Sequence, residues 1–246
     1  MKKKLIRLIA VFFAAFVACS LTACSKKNDQ QYSYLVDLSG DYDKKLEGSG
    51  NLSSRTVELS DRTYELTISG IKYSGGSFKV VITPSGNSAV IEADDNAVND
   101  FKLSVDDNAG TIILSANNDT MYSNVNCTVI LNAAVSGISA EGAYVIEYTT
   151  PENAESIDIS VSGAVKVTAS GAADRAVYKI EGGSSLYAEG LKAGSVTVDV
   201  SGASKAEIYA ESSLDVTASG TSTVKYSGDP GTVNDDVSGL ASVTKK

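Results

Sequence analysis

A three-residue phrase, apolar then polar then glycine, recurs through the C-terminal half of this chain and constrains its fold more than any other feature. It reads Val161-Ser162-Gly163, Ile180-Glu181-Gly182, Val200-Ser201-Gly202, Ala218-Ser219-Gly220 and Val237-Ser238-Gly239, with a weaker copy at Ala140-Glu141-Gly142. The marker glycines are separated by 21, 19, 20, 18 and 19 residues. A unit this short cannot bury an apolar face alone. Its core has to come from stacking one copy on the next.

Columns taken at fixed offsets from the glycine show which face is buried. Two residues before it stand Ala140, Val161, Ile180, Val200, Ala218 and Val237; four after it stand Ile146, Val167, Leu186, Ala206, Val224 and Val243. Four before it the column is Ile138, Ile159, Tyr178, Val198, Val216 and Asp235, with one charged exception. One before it the column is polar: Glu141, Ser162, Glu181, Ser201, Ser219 and Ser238. Apolar even offsets and polar odd offsets mean strands with one buried face. The alternation outruns the usual strand length, so the glycine is expected to bend the chain and split each repeat into two short strands. Stacked roughly 4.8 Å apart, such repeats build a parallel β-solenoid, expected to be right-handed, with coils of about 18–21 residues.

Regular coils are assigned to residues 136–246. From 55 to 135 the chain alternates without a clear repeat, in Thr63–Ile68, Phe78–Thr83, Ala89–Ala93, Phe101–Val105 and Thr111–Ser115. Turn clusters such as Pro84-Ser85-Gly86-Asn87 and Asp106-Asp107-Asn108 separate these runs. No segment has sustained helical periodicity, so this half is expected to be irregular first coils or a cap protecting open strand edges.

The start of the chain has a different character. Lys2, Lys3, Lys4 and Arg7 precede the apolar run Leu8–Val17, and Leu21-Thr22-Ala23-Cys24 follows. The run is shorter than the ~20 residues of a membrane span. The order of charge, apolar run and Leu-small-small-Cys resembles a bacterial lipobox, which implies a leader over residues 1–23 and diacylation of Cys24. Anchoring by acyl chains would make the membrane a partner through Cys24 and place the protein in the cell envelope, outside the cytoplasm. The polar stretch 24–54 reads as a tether, with a first strand or cap built on Tyr32, Tyr34, Leu35 and Val36 as the alternative, and 55–246 reads as the folded domain. Of the three cysteines, Cys127 lies in phase with Val125, Val129 and Leu131 and reads as a buried thiol.

The resemblance extends to the domain itself. The Ser-Gly phrases, the segment Ser219–Pro230, the closing Val237-Ser238-Gly239, and the run Val90–Asn96 with Phe101–Val105 are similar to the bacterial auto-transporter adhesin "head GIN" domain, a domain of unknown function (DUF2807). The similarity spans about residues 60–245 and implies a right-handed β-helical fold and an envelope location. Members are often lipoproteins, which agrees with Cys24. The resemblance implies no established activity.

Chemistry is narrowed by what is missing. The chain has no histidine, which removes Ser-His-Asp and Cys-His catalysis, histidine metal sites and histidine pH switching. There is no phosphate-binding loop, because no Ser-Gly phrase opens a helix. The net charge of −9 argues against nucleic acid. The acidic turns at 94–96, 106–108 and 235–236 lack ion-loop spacing and read as turns. On the outward columns, Lys205, Glu207 and Lys225 group as a surface ion-pair set. Tyr187 and Tyr209 also point outward, where a tyrosine either stacks on a sugar or is ordinary surface. The chain is therefore read as a cell-surface, lipid-anchored binding or adhesin-like module. It would present a β-face to glycan or protein, with no catalysis, cofactor or metal. A structural envelope lipoprotein and a polysaccharide-active enzyme are the alternatives.

Overall fold

The computed structural model describes residues 44–246. The expected leader, Cys24 and the tether up to residue 43 lie outside the described residues. Every regular element among those described is a strand. The N-terminal part comprises β1 (Lys44–Glu47), β2 (Leu52–Glu58), β3 (Thr63–Ile68), β4 (Tyr73–Thr83), β5 (Ser88–Asp94), β6 (Lys102–Asp106), β7 (Thr111–Ser115) and β8 (Thr120–Asn132). Then come β9 (Ala134–Gly142), β10 (Val145–Thr149), β11 (Ala154–Gly163), β12 (Lys166–Ile180), β13 (Ser185–Val200), β14 (Lys205–Ala218), β15 (Thr223–Ser227), β16 (Thr232–Val237) and β17 (Ser242–Lys245). The 17 strands form one connected, nearly closed sheet in which most pairs are parallel.

The repeat read from the sequence is the pairing register. In one stack, parallel pairs join Val145 to Lys166, Lys166 to Ser185, Ser185 to Lys205, Lys205 to Thr223, and Thr223 to Ser242. In a second stack they join Gly137, Asp158, Val177, Thr197, Asp215 and Asn234. Like residues therefore sit over like residues. Ile146, Val167, Leu186, Ala206 and Val224 are each 0% exposed. Ile138, Ile159, Tyr178, Val198 and Val216 are buried as well. Asp235, at the same offset as these, is exposed on β16.

The marker glycine acts through two constraints. Gly142, Gly163, Gly182, Gly202, Gly220 and Gly239 all have positive φ, from 72° to 143°. Each from Gly163 on also stacks on its predecessor: a Cβ on Gly202 would lie 2.5 Å from the Gly182 carbonyl oxygen, and one on Gly220 2.5 Å from that of Gly202. The turns are tied by their own backbone, with Ala203 N–H donating to Gly182 O at 2.7 Å and Thr221 N–H to Gly202 O at 2.8 Å. Two residues on, Ser184, Ser204 and Ser222 are buried. Their hydroxyls are satisfied by main chain: Ser204 and Ser222 donate to Gly182 O and Val200 O, and Ser184 Oγ accepts from Val165 N–H.

Two sequence expectations need correction. Two short strands per repeat occur at β10 and β11 and at β15 and β16, but not in the three repeats between them. β12, β13 and β14 run 15, 16 and 14 residues, and each contributes to both stacks. The corner inside each long strand is taken by irregularities in register, at Thr168/Ser170 and Ala188/Ala193, which bend a strand without ending it. The second correction concerns the polar stretch up to residue 54. Residues 44–47 pair in parallel with β8, and β2 pairs antiparallel with β5. Leu46 is buried, and Gly48 packs so closely on Asn124 O that a Cβ there would lie 2.5 Å from it. Gly48 marks a close approach, where composition alone suggests a linker.

The blurred repeat before residue 134 also has a cause. Antiparallel pairs β2–β5, β5–β8 and β6–β7 interrupt the parallel pairs β3–β7, β3–β9, β4–β8 and β4–β10. Under them lies an aromatic cluster of Tyr73, Phe78, Phe101, Tyr122 and Tyr144, with ring centroids 5.0–6.2 Å apart. These large buried rings fill a wider core than the Val, Leu and Ala columns do.

Candidate functional site

Parallel stacking places all five sequence candidates in the folded domain on one outward surface, that of the first stack. Tyr187 pairs with Glu207, and Glu207 with Lys225, so these three form one column across β13, β14 and β15. Lys205 and Tyr209 stand two residues to either side of Glu207 on β14, whose alternation turns Ala206 and Ile208 inward. Cys24, the expected acylation site, lies outside the described residues.

Glu207 is the electrostatic centre of this face. Its side chain is 13% exposed, its Oε1 lies 2.5 Å from Lys205 Nζ, and its Oε2 pairs with Lys246 Nζ. Hydrogen bonds from Lys205 and then Lys246 hold its carboxyl far below the usual carboxylate range, at about 2. Lys246 also bridges to Glu189 at 2.9 Å. The same partners raise the Lys205 and Lys246 ammonium groups, Glu207 being the largest cause for each. A carboxylate so held stays ionised at neutral pH and has no proton to give as a general acid.

The tyrosines hold cations. Lys205 Nζ lies 5.1 Å and Lys166 Nζ 5.8 Å from the Tyr187 ring centroid, from the rungs on either side of it. Lys192 Nζ lies 3.6 Å from the Tyr209 ring centroid. Sequence reasoning did not single out Lys166, Glu189, Lys192 or Lys246 as site residues. Lys166 was visible in the outward column three after the glycine. Glu189 and Lys192 fall within the register shift between β13 and β14, where counting from the glycine fails.

Two of the acidic segments are turns that serve the fold, whereas Asp235-Asp236 lies within strand β16 rather than in a turn. Both oxygens of the buried Asp94 accept backbone N–H groups, from Gly50 at 2.5 Å and Asn126 at 2.7 Å. Asp95 accepts from Ser49 Oγ at 2.6 Å, and Asn96 donates to Glu47 O at 2.8 Å. The turn thus clamps the chain between β1 and β2. Asp106 Oδ1 accepts from Asn108 and Ala109 N–H, and Asp107 from Tyr64 Oη. Cys127 is a buried free thiol, 1% exposed, and burial pushes it up to about 12.

A family model described as "Putative auto-transporter adhesin, head GIN domain" matches residues 67–230, which are most of the stacked strands. The chain belongs to this family. The match runs from β3 through β15 and so contains Tyr187, Lys205, Glu207, Tyr209 and Lys225 of the outward face. Among solved structures, this GIN domain is similar to a protein from Bacteroides fragilis described as a putative adhesin. The TM-score is 0.52 and the identity 17%, over 82% of this chain and 100% of that one. A Parabacteroides distasonis protein described as a putative lipid binding protein is also similar, at 17% identity and a TM-score of 0.48, covering 82% of this chain and 99% of that one. At such identities the Bacteroides likeness is one of fold. No curated protein matches the GIN chain.

Proposed function

We propose that this protein is an adhesin-like binding module of the cell surface, without catalytic activity. It would be held to a membrane by an acylated Cys24 after removal of residues 1–23, with the chain up to β1 as its tether. Its stacked rungs would form a right-handed parallel β-helix, and the outward face of the first stack would meet the ligand, a glycan or a protein. One observation carries the reading: Tyr187, Lys205, Glu207, Tyr209 and Lys225 share one outward face, and the first four are already positioned by ion pairs and ring contacts. A preorganised polar and aromatic surface loses little side-chain freedom on binding. The adhesin description of the family supports the same reading, and Glu207, held ionised, does not supply the acid of a glycosidase.

Two experiments test it. Growth with a fatty-acid probe should label the wild-type protein in the membrane fraction, and Cys24→Ala should lose both label and membrane retention. Labelling that survives Cys24→Ala removes the anchor. A glycan array and a surface pull-down with the protein should each be compared with a variant in which Tyr187, Lys205 and Lys225 are replaced by Ala. A ligand that the wild type retains and the variant loses supports the face, and equal retention by both removes it.

A further inference from the structure

We propose that the outward face of the first stack binds an acidic polysaccharide, a carboxylate-bearing sugar chain laid across the rungs. The inference rests on the reading of this domain as a binding module and assigns the chemical class of its ligand.

Charge is segregated between the two stacks. The chain is acidic, with 30 Asp and Glu against 21 Lys and Arg. The second stack follows that balance: its outward columns carry Asp158, Asp199, Asp215 and Asp236 against Arg175 and Lys179. The first stack reverses it. From β12 onward it gathers Lys166, Lys192, Lys205, Lys225 and Lys246 around Glu189 and Glu207. A cationic strip on an anionic molecule draws in polyanions and repels them from every other side, which orients the encounter.

The strip is also arranged to keep its charge. Glu207 and Glu189 are committed to Lys205 and Lys246. Lys192 is held by the Tyr209 ring and by the Glu189 carbonyl oxygen at 3.1 Å. A ring or a carbonyl fixes an ammonium in position but leaves its full positive charge in place, whereas a carboxylate would cancel it. Lys225 makes no ion pair among the described residues and stands next to Glu207 in the column. Lys192, held in place, and Lys225, which has no carboxylate paired to it among the described residues, are thus open to external carboxylates.

The surroundings select a sugar chain over a lipid surface. Thr168, Ser185, Thr223 and Ser242 line the same columns and offer hydroxyl groups to sugar hydroxyls. Of the large exposed apolar side chains of the described residues, Ile130 alone continues the Tyr187 column, on β8 beyond β12, β10 and β4, while Leu52, Ile113, Val233, Val237 and Leu240 lie elsewhere. A surface that enters lipid needs such groups among its lysines. A polymer with a regular spacing of charge also matches rows repeating about every 4.8 Å.

The test titrates the full chain with polygalacturonate, with neutral dextran of similar length, and with vesicles containing an anionic phospholipid. We expect saturable binding of polygalacturonate at 50 mM salt, about tenfold weaker near 0.5 M salt as screening sets in. No binding is expected to dextran or vesicles. Lys192→Gln with Lys225→Gln should weaken polygalacturonate about tenfold. Glu207→Gln, which uncovers Lys205 and leaves Lys246 paired with Glu189 alone, should tighten it. Circular dichroism on each variant confirms the fold. Absence of polygalacturonate binding, equal affinity for vesicles, or an unchanged affinity in both charge variants overturns the inference. If polygalacturonate fails while a neutral glycan or a protein is captured through the same face, the binding-module reading stands and only the acidic class falls.

Discussion

Gly182 and Gly183 are neighbours of identical composition, and the structure assigns them opposite sensitivities. Gly182 has φ of 79°, and a Cβ there would lie 2.7 Å from Gly163 O and 2.9 Å from Gly163 N. Alanine at this φ costs about 1–2 kcal/mol. Relieving the overlap means lifting one rung from the next, which strains packing by about 1–3 kcal/mol. It also lengthens the 2.7 Å hydrogen bond from Gly183 N–H to Gly163 O. Gly182→Ala should therefore destabilise by about 3 kcal/mol, within the range these terms span. Gly183 has no such constraint: its φ is ordinary for an L-residue, and a Cβ would meet only Gly163 O at 3.7 Å. Gly183→Ala should be neutral, or stabilise by up to about 0.5 kcal/mol through loss of unfolded-state freedom. Urea unfolding followed by circular dichroism, with unchanged slope, measures both. If the two variants fall within about 1 kcal/mol of each other, the stacked-glycine argument is wrong.

Other consequences can be measured in the same way. Asp94→Ala leaves the N–H groups of Gly50 and Asn126 without their acceptor. It should cost about 2–4 kcal/mol and open the segment between β1 and β2 to limited proteolysis, and an unchanged digest counts against the clamp. The Tyr178 hydroxyl is buried without a hydrogen-bond partner among the described residues, whereas Tyr148 Oη donates to Val135 O at 2.5 Å. Tyr178→Phe should be neutral or stabilise by about 1 kcal/mol and Tyr148→Phe should destabilise by a similar amount; the reverse order would contradict both assignments. The Cys127 thiol, pushed to about 12 by burial, should react with a thiol reagent at pH 8 only as the protein unfolds, and rapid reaction in native buffer would place it at the surface. Glu207 has its folded value lowered from 4.5 to about 2 by Lys205 and Lys246. Its contribution to stability is fully present above pH 4.5 and lost as pH falls toward 2. The gap in melting temperature between wild type and Glu207→Gln should shrink over that window, and a constant gap would deny the ion pair a role.

The chain by itself determined the repeat, its register and its inward columns, because parallel stacking converts a sequence period into a contact. When Lys166 lies beside Ser185 and Ser185 beside Lys205, like positions in consecutive repeats are neighbours, and side-chain alternation decides which point inward. By the same logic, counting from the marker glycines is enough to put Tyr187, Glu207 and Lys225 in one column. Tertiary structure decided whatever breaks that rule. Of the antiparallel pairings, β6–β7 is a hairpin while β2–β5 and β5–β8 join strands with two others between them, so no period announces them. The bend within β13 shifts the count, which hid Glu189 and Lys192 from the outward face. The polar, glycine-containing stretch at 44–54 resembles a linker in composition, and only the clamp by Asp94 shows why it is ordered. Gly182 and Gly183 make the same point at a single residue. Local chemistry does not distinguish them, and the carbonyl of the rung beneath does.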